Sequence, residues 1–220
     1  MTAKQLGLDY FKIYEVASQR VQYNVQLQGQ FDKEPDMVEL LVFATFANVA
    51  SKNKEPIVDK NAHLAYYTLH QRVAEPTRNV VAENQFGKQD FRIGNPVGLF
   101  APARKYEPGL EFPSKLDHFK VYRILEGKPI MKQIALSDQF GAGDVTAAAP
   151  ILFGVPVKKT HNGQTFPIHN AKAHLLIYNI EPRPLEKAVV MADQFGRRQL
   201  HFVRSRAVAA PTVKLEVKEI

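Results

Sequence analysis

Apolar and polar residues alternate with a period of two over most of this chain. Phe119 and Val121 fall on one face of an extended segment, and Lys120 and Tyr122 fall on the other. A period of two is typical of a β-strand with one buried face, whereas a helix repeats its apolar residues about every 3.6 positions. Further segments alternate in the same way: 80–82, 134–136 and 189–191. The pattern predicts an all-β protein.

A tetrad of the form Asx-Gln-Phe-Gly recurs along the chain. Its copies occupy 84–87, 138–141 and 193–196, with a fainter version, Gly-Gln-Phe-Asp, at 29–32. The phenylalanines Phe31, Phe86, Phe140 and Phe195 are spaced by 55, 54 and 55 residues. A constant spacing of this length indicates tandem structural repeats.

Two other landmarks share this spacing. One tyrosine stands near the start of each unit, at Tyr14, Tyr67, Tyr122 and Tyr178, and one proline follows the tetrad in three of them, at Pro102, Pro156 and Pro211. The sequence thus predicts four tandem repeats of about 55 residues that form β-sandwich- or barrel-like units. Their predicted bounds are 1–56, 57–110, 111–165 and 166–220. Two domains, 1–110 and 111–220, are an alternative grouping.

The tetrad has the composition of a tight turn. An Asx side chain accepts a hydrogen bond from the amide two residues on, and glycine adopts positive φ without strain. We interpret the following residues as structural turns that close hairpins: Asn84, Phe86, Gly87, Asp138, Phe140, Gly141, Asp193, Phe195 and Gly196. The prolines cannot donate to a central ladder, so they mark breaks or edges.

The first unit diverges from the others. It has Asp32 where the other tetrads have glycine, and it carries an insertion around 34–36. The apolar run 37–50 could form a helix if it were taken alone, whereas the repeat favours a strand. Terminal repeats are often atypical because one of their faces lacks a neighbour.

The order His-Phe-Lys-x-Tyr, Asp-Gln-Phe-Gly, Leu-x-x-Pro resembles a tandem β-repeat family of unknown function, usually secreted and cysteine-bearing. The resemblance implies an all-β architecture and brings no active site, ligand or cofactor. In that family one cysteine usually precedes the tyrosine and another stands two residues before the proline. Here these slots hold Tyr66 and Phe100, Val121 and Gly154, and Ile177 and Ala209.

The composition of the chain excludes some kinds of functional site and favours certain partners. Cysteine is absent, which excludes disulfides, thiolate metal sites and thiol nucleophiles. No stretch matches a signal peptide or a membrane span, so a cytoplasmic location is expected if Met1 is the native start, and a surface or extracellular one if it is not. The net charge is +7, which favours acidic partners.

Lysines in the connectors are expected to be solvated loop residues. They are Lys52, Lys54, Lys60, Lys158, Lys159 and Lys172. A denser basic run comprises Arg197, Arg198, His201, Arg204 and Arg206. Its strand parity divides the charges between two faces, so nucleic-acid binding is possible but not favoured.

No recognisable catalytic, cofactor or metal motif is present. The connector residues His161 and His169 are the nearest metal candidates, and they do not form a cluster in the sequence. Asp138 and Asp193 would be the acids of a hydrolase with an inter-repeat cleft, although their recurrence favours turn formation.

The sequence therefore predicts a non-enzymatic structural or interaction protein that binds protein partners or itself through loops and strand edges. The candidate interaction surface comprises Arg197, Arg198, Arg204, Arg206, Tyr106, Phe112 and Phe166. A carbohydrate- or surface-binding module that uses the exposed aromatic residues is the first alternative, and the hydrolase is the second.

Overall fold

A computed structural model describes residues 3–70, 74–106, 109 and 111–220, which form one short helix and twelve strands. Helix α1 spans Ala3–Leu6. The strands are β1 (Tyr10–Gly29), β2 (Asp36–Lys52), β3 (His63–His70), β4 (Arg78–Asn84), β5 (Gly87–Lys105), β6 (His118–Gly127), β7 (Lys132–Asp138), β8 (Gly141–Ala147), β9 (Pro150–His161), β10 (Gln164–Phe166), β11 (His174–Asp193) and β12 (Gly196–Glu219). The all-β prediction is confirmed. The run 37–50 lies within β2, so the strand interpretation of the first unit is also confirmed.

Eight of these strands close into a ring. Antiparallel pairing proceeds in the order β1, β2, β3, β5, β6, β9, β11, β12 and returns to β1. Each unit supplies two ring strands. The opening strands are β1, β3, β6 and β11, and the closing strands are β2, β5, β9 and β12. The junctions β5–β6 and β12–β1 connect the halves 1–110 and 111–220 on both sides. Closure leaves the ring without an unpaired edge.

Each unit also contributes a hairpin, which contains its tetrad and leaves the ring. The hairpin of the first unit pairs with β9, where Gly29 is opposite Val157, and the hairpin β4–β5 pairs with β12. The hairpin β7–β8 pairs with β2, and the one between β11 and β12 pairs with β5. Every hairpin therefore reaches the closing strand of the unit two positions away.

The recurring prolines lie where a closing strand changes partner. On β5, Phe100 pairs with β6 and Ala103 pairs with the hairpin of the fourth unit, and Pro102 lies between them. Pro156 and Pro211 occupy the same place on β9 and β12. A missing amide hydrogen costs least at such a gap in the ladder.

Apolar side chains fill three clusters. One lies inside the ring, includes Phe119, Val121 and Ile177, and is covered at one end by Leu6 and Leu8 next to α1. The other two lie between the outer face of the ring and the hairpins. Alternation along each strand therefore directs one set of side chains into the ring and the other set under a hairpin.

Candidate functional site

The tetrads form hairpin turns with a repeated hydrogen bond. Asn84, Asp138 and Asp193 each accept from the backbone amide two residues on, with N–O distances of 2.8, 3.0 and 2.8 Å. The glycines that follow have φ angles of +111°, +138° and +123°, in the region that favours glycine. The local sequence alone thus accounts for the shape of each turn.

Each tetrad phenylalanine packs edge-on against a landmark tyrosine. The ring centroids are 5.2–5.4 Å apart in four pairs: Phe31 with Tyr122, Phe86 with Tyr178, Phe140 with Tyr14, and Phe195 with Tyr67. Every pair joins units that are two positions apart. The two landmarks recur with the same spacing because each one is the partner of the other across the ring.

The Asx side chain of the tetrad also bonds to that tyrosine. The Tyr14 hydroxyl donates to Asp138 at 2.8 Å, the Tyr67 hydroxyl donates to Asp193, and Asn84 donates to the Tyr178 hydroxyl at 2.9 Å. Burial, followed by the charge of the neighbouring carboxylate, raises the pKa of Tyr14 and of Tyr67. Both acids considered for a hydrolase therefore contact a protonated tyrosine.

The glutamine of the tetrad contacts the unit that precedes it in the ring. Gln30 lies 2.8 Å from His174 Nε2, Gln194 lies 2.8 Å from His118 Nε2, and Gln85 accepts from the Tyr10 hydroxyl at 3.0 Å. His118 and His174 thus contact the turn of the next unit, which gives them a structural role.

The lysine that follows each proline lies over the tetrad phenylalanine of the next unit. The Nζ-to-centroid distances are 5.4 Å for Lys105 and Phe140, 4.8 Å for Lys159 and Phe195, and 5.3 Å for Lys214 and Phe31. These are cation–π distances. One turn is thereby held by residues from two other units.

The burial of two histidines is expected to make the folded protein less stable in acid. His118 and His174 are 3% and 2% exposed, and burial lowers their pKa to about 3 and about 4. Below about pH 6.5 the unfolded chain binds protons that the folded chain does not, so stability falls as pH falls through this window. The expected loss is about 2 kcal/mol per histidine between about pH 7 and pH 5.

Urea unfolding at both pH values measures this effect. The His174→Gln variant is expected to lose less stability on acidification than the wild type, since glutamine does not titrate. His201→Gln is the matched control because His201 is exposed. An equal acid loss in wild type and His174→Gln would contradict the assignment.

Two connector lysines are not solvated, which corrects the expectation for them. Lys159 is fully buried and Lys52 is 6% exposed, whereas Lys54, Lys60, Lys158 and Lys172 are exposed. Lys52 Nζ pairs with Glu55 at 2.8 Å, but Lys159 Nζ has no hydrogen-bond partner among the residues that the structure describes. The hairpin β9–β10 places Phe166 over Lys159 at 4.6 Å, and burial lowers the pKa of Lys159 to about 7. The pattern of charges in the sequence could not reveal the burial of Lys159. The strand that covers it, β10, lies within the same connector.

A second buried lysine, Lys120, has the opposite environment. Its Nζ lies 2.8 Å from Asp32, 2.7 Å from Glu75 and 3.7 Å from Asp36. Arg78 also pairs with Glu75, at 2.9 Å. The divergent Asp32 of the first tetrad thus forms an ion pair. The other tetrads have their Asx residue in the first position and glycine in the fourth, so an aspartate in the fourth position was the feature of the sequence that could have indicated this role.

Part of the predicted interaction surface comes together on the exterior. The Arg197 guanidinium lies 3.8 Å from the centroid of Tyr106, and that of Arg104 lies 5.1 Å from Tyr106 and 5.0 Å from Phe112. Tyr106 and Phe112 are 49% and 46% exposed. We call these four residues the stacked patch. Arg104 did not stand out in the sequence because it lies outside the basic run.

The other predicted surface residues lie elsewhere. Arg198 is half-buried over Phe43 and Tyr67, at 5.3 and 5.6 Å from their centroids. Arg204 and Arg206 pair with Glu15 at 2.9 and 3.8 Å. Phe166 is half-buried against Lys159 and His118. The basic run therefore does not form a single stripe.

Within the described part of the chain, no group of three His, Asp or Glu residues is arranged to hold a metal ion. His161 instead lies 3.0 Å from the carbonyl oxygen of Asn24. The described residues also contain no helix that is long and apolar enough to cross a membrane.

The sequence profile of DUF7450, a repeat of unknown function, matches residues 63–210, which is about two-thirds of the chain. The chain belongs to the DUF7450 repeat family. The match begins at the first residue of β3 and covers most of the three similar units, while the divergent first unit lies outside it. No curated protein and no solved structure matched the chain. The interlocking tetrads therefore describe how DUF7450 units assemble in this protein.

Proposed function

We propose that this protein is a non-enzymatic interaction protein and that the stacked patch is its partner-binding surface. The supporting observation is that two aromatic rings, each about half exposed, stack with two arginines on the exterior. Tyrosine and arginine are enriched among residues that dominate binding energy at protein interfaces. A pre-stacked arrangement also reduces the entropy lost when a partner orders these side chains.

The location of the repeated residues supports the same proposal. The Asx, Phe, Tyr, Gln and Lys landmarks contact one another between units, so their recurrence is explained by assembly of the ring. Residues outside the repeat pattern, such as Tyr106 and Phe112, are the ones left on the surface. The net charge of +7 favours an acidic protein partner or an acidic face of a second copy.

Light scattering at low and high salt tests self-association through the patch. The wild type is expected to form a concentration-dependent oligomer, and the double variant Tyr106→Ser/Arg197→Ser is expected to be monomeric. Val203→Ser is the matched control, because Val203 is 45% exposed away from the patch. A wild type that is monomeric at both salt concentrations would contradict self-association. Crosslinking of the same variants to acidic proteins would then test the hetero-partner form.

A carbohydrate-binding role is the second candidate, and the partial exposure of Tyr106 and Phe112 favours it. Sugar rings stack on such aromatic faces, and arginines beside them can bind hydroxyl or carboxylate groups. Phe166 is less suited to this contact because it lies against Lys159 and His118. Glycan-array binding that is lost in Tyr106→Ala and kept in Phe166→Leu would favour this role over protein binding.

A further inference from the structure

A recess of about 540 Å³ opens at the end of the ring where the strands leave for their hairpins. It receives side chains from all eight ring strands, and the far end of the ring is covered by Leu6 and Leu8. The accessible apolar lining comprises the half-buried side chains of Tyr66, Ile151 and Leu152, and fully buried Phe100 and Ile177 lie beneath them. Mouths of closed strand rings are common sites for small ligands.

Tyr66 forms one wall of the recess. Its ring lies over Gly98, where an added Cβ would stand 2.2 Å from it, and its hydroxyl donates to the Val97 carbonyl at 3.2 Å. Burial raises the pKa of Tyr66 to about 12, and the charges of Arg123 and Arg206 act against that rise. The wall is therefore neutral at physiological pH, and both arginines lie within electrostatic reach of the recess.

The rim of the recess has an excess of positive charge. Arg123 is exposed and makes no ion pair with any residue that the structure describes. Arg206 lies 3.8 Å from Glu15, whose nearer partner is Arg204 at 2.9 Å. One carboxylate is thus shared by two arginines while Arg123 keeps its full charge. A ligand with one anionic group would balance the excess positive charge of this rim.

We infer that this recess binds a small amphipathic carboxylate, whose apolar body contacts Tyr66, Ile151 and Leu152 above the buried floor and whose carboxylate lies between Arg123 and Arg206. Arginine is suited to this role because its planar donors match the two oxygens of a carboxylate. Removal of the apolar body from water supplies the remaining affinity.

A larger groove of about 1060 Å³ along β4, β5 and the end of β6 does not select a ligand class in the same way. Its lining carries charges of both signs, including Lys88, Asp90 and Lys128, and the pair Arg92–Glu126 is already formed. The mouth of the ring combines a closed apolar floor with charge of one sign, so its chemistry is more specific.

Calorimetric titration with decanoate tests the charged half of this site. The wild type is expected to bind, and the double variant Arg123→Gln/Arg206→Gln is expected to bind at least about tenfold more weakly, since it loses both charge-assisted hydrogen bonds to the carboxylate. Arg204→Gln is the matched control, because Arg204 lies two residues from Arg206 and does not line the recess. All three substitutions are at exposed positions, so the fold is expected to persist.

Neutral and cationic analogues test the ligand class. Decanol is expected to bind more weakly than decanoate, and decyltrimethylammonium is expected not to bind. Methyl NMR locates the apolar body: decanoate should shift the signals of Ile13 and Ile177 and leave that of Ile57, outside the recess, unchanged. Absence of decanoate binding, equal affinity for decanol, or equal affinity in the double variant would overturn the inference.

Discussion

Neither residues 1–110 nor residues 111–220 are expected to fold when they are expressed alone. Each half holds only four of the eight ring strands, and the pairings β5–β6 and β12–β1 exist only between the halves. Each half also loses the strands on which its hairpins lie, since every hairpin pairs with the unit two positions away. Six of the fifteen strand pairings among the described residues join the two halves, and both outer cores draw residues from both halves. Their loss is expected to exceed the usual stability of a domain.

Circular dichroism and NMR of the separate halves measure this result. Each half should give poorly dispersed spectra and no cooperative thermal transition, and an equimolar mixture should regain the spectrum of the intact chain. The intact chain should unfold in one transition with coincident probes. A cooperative transition in either half alone would instead support two domains divided at residue 110.

The two buried lysines are expected to respond in opposite directions to the same substitution. Lys120→Met should lower the free energy of unfolding by about 3–5 kcal/mol, because it leaves Asp32 and Glu75 buried beside a missing cation. Lys159→Met should raise it by about 1 kcal/mol, because the amine has no hydrogen-bond partner in the described part of the chain and methionine keeps contact with Phe166 and Phe195. Denaturant titration of both variants measures the difference.

The pH dependence gives a second readout for Lys159. Its pKa is lowered to about 7 in the folded protein, whereas the ordinary value is 10.5. Between these values the unfolded chain holds a proton that the folded chain has released, so wild-type stability rises with pH in this window. The advantage of Lys159→Met should therefore shrink from pH 7 towards pH 10. An advantage independent of pH, or a loss of stability equal to that of Lys120→Met, would contradict the assigned environments.

The elements of this fold were accessible from the sequence because they depend on local rules. Period-two alternation places Phe119 and Val121 on one face and Lys120 and Tyr122 on the other, and the structure places the first pair inside the ring and the second pair outside it. Asp138 and its following glycine form a turn for reasons contained within four residues.

The assembly of the units was not accessible in the same way. Alternation states which face of a strand is buried but not which strand lies beside it. Tyr14 and Asp138 are 124 residues apart, and nothing local indicates that one bonds to the other. Lys159 carries the residue type of a solvated loop, and only the fold shows that β10 covers it. Three of the four residues of the stacked patch were among the predicted surface residues: Tyr106, Phe112 and Arg197. The other predicted surface residues lie elsewhere: Arg198, Arg204, Arg206 and Phe166.

The crossing hairpins also set a minimum number of copies for such a chain. Each tetrad contacts the tyrosine two units ahead and side chains of the unit behind, and in a ring of four these partners are always present. With three copies, two units ahead would be the same neighbour as one unit behind, so one unit would have to supply both sets of partners. Open solenoids tolerate the gain or loss of a repeat because each repeat contacts only its neighbours. Deletion of one unit here is therefore expected to abolish folding.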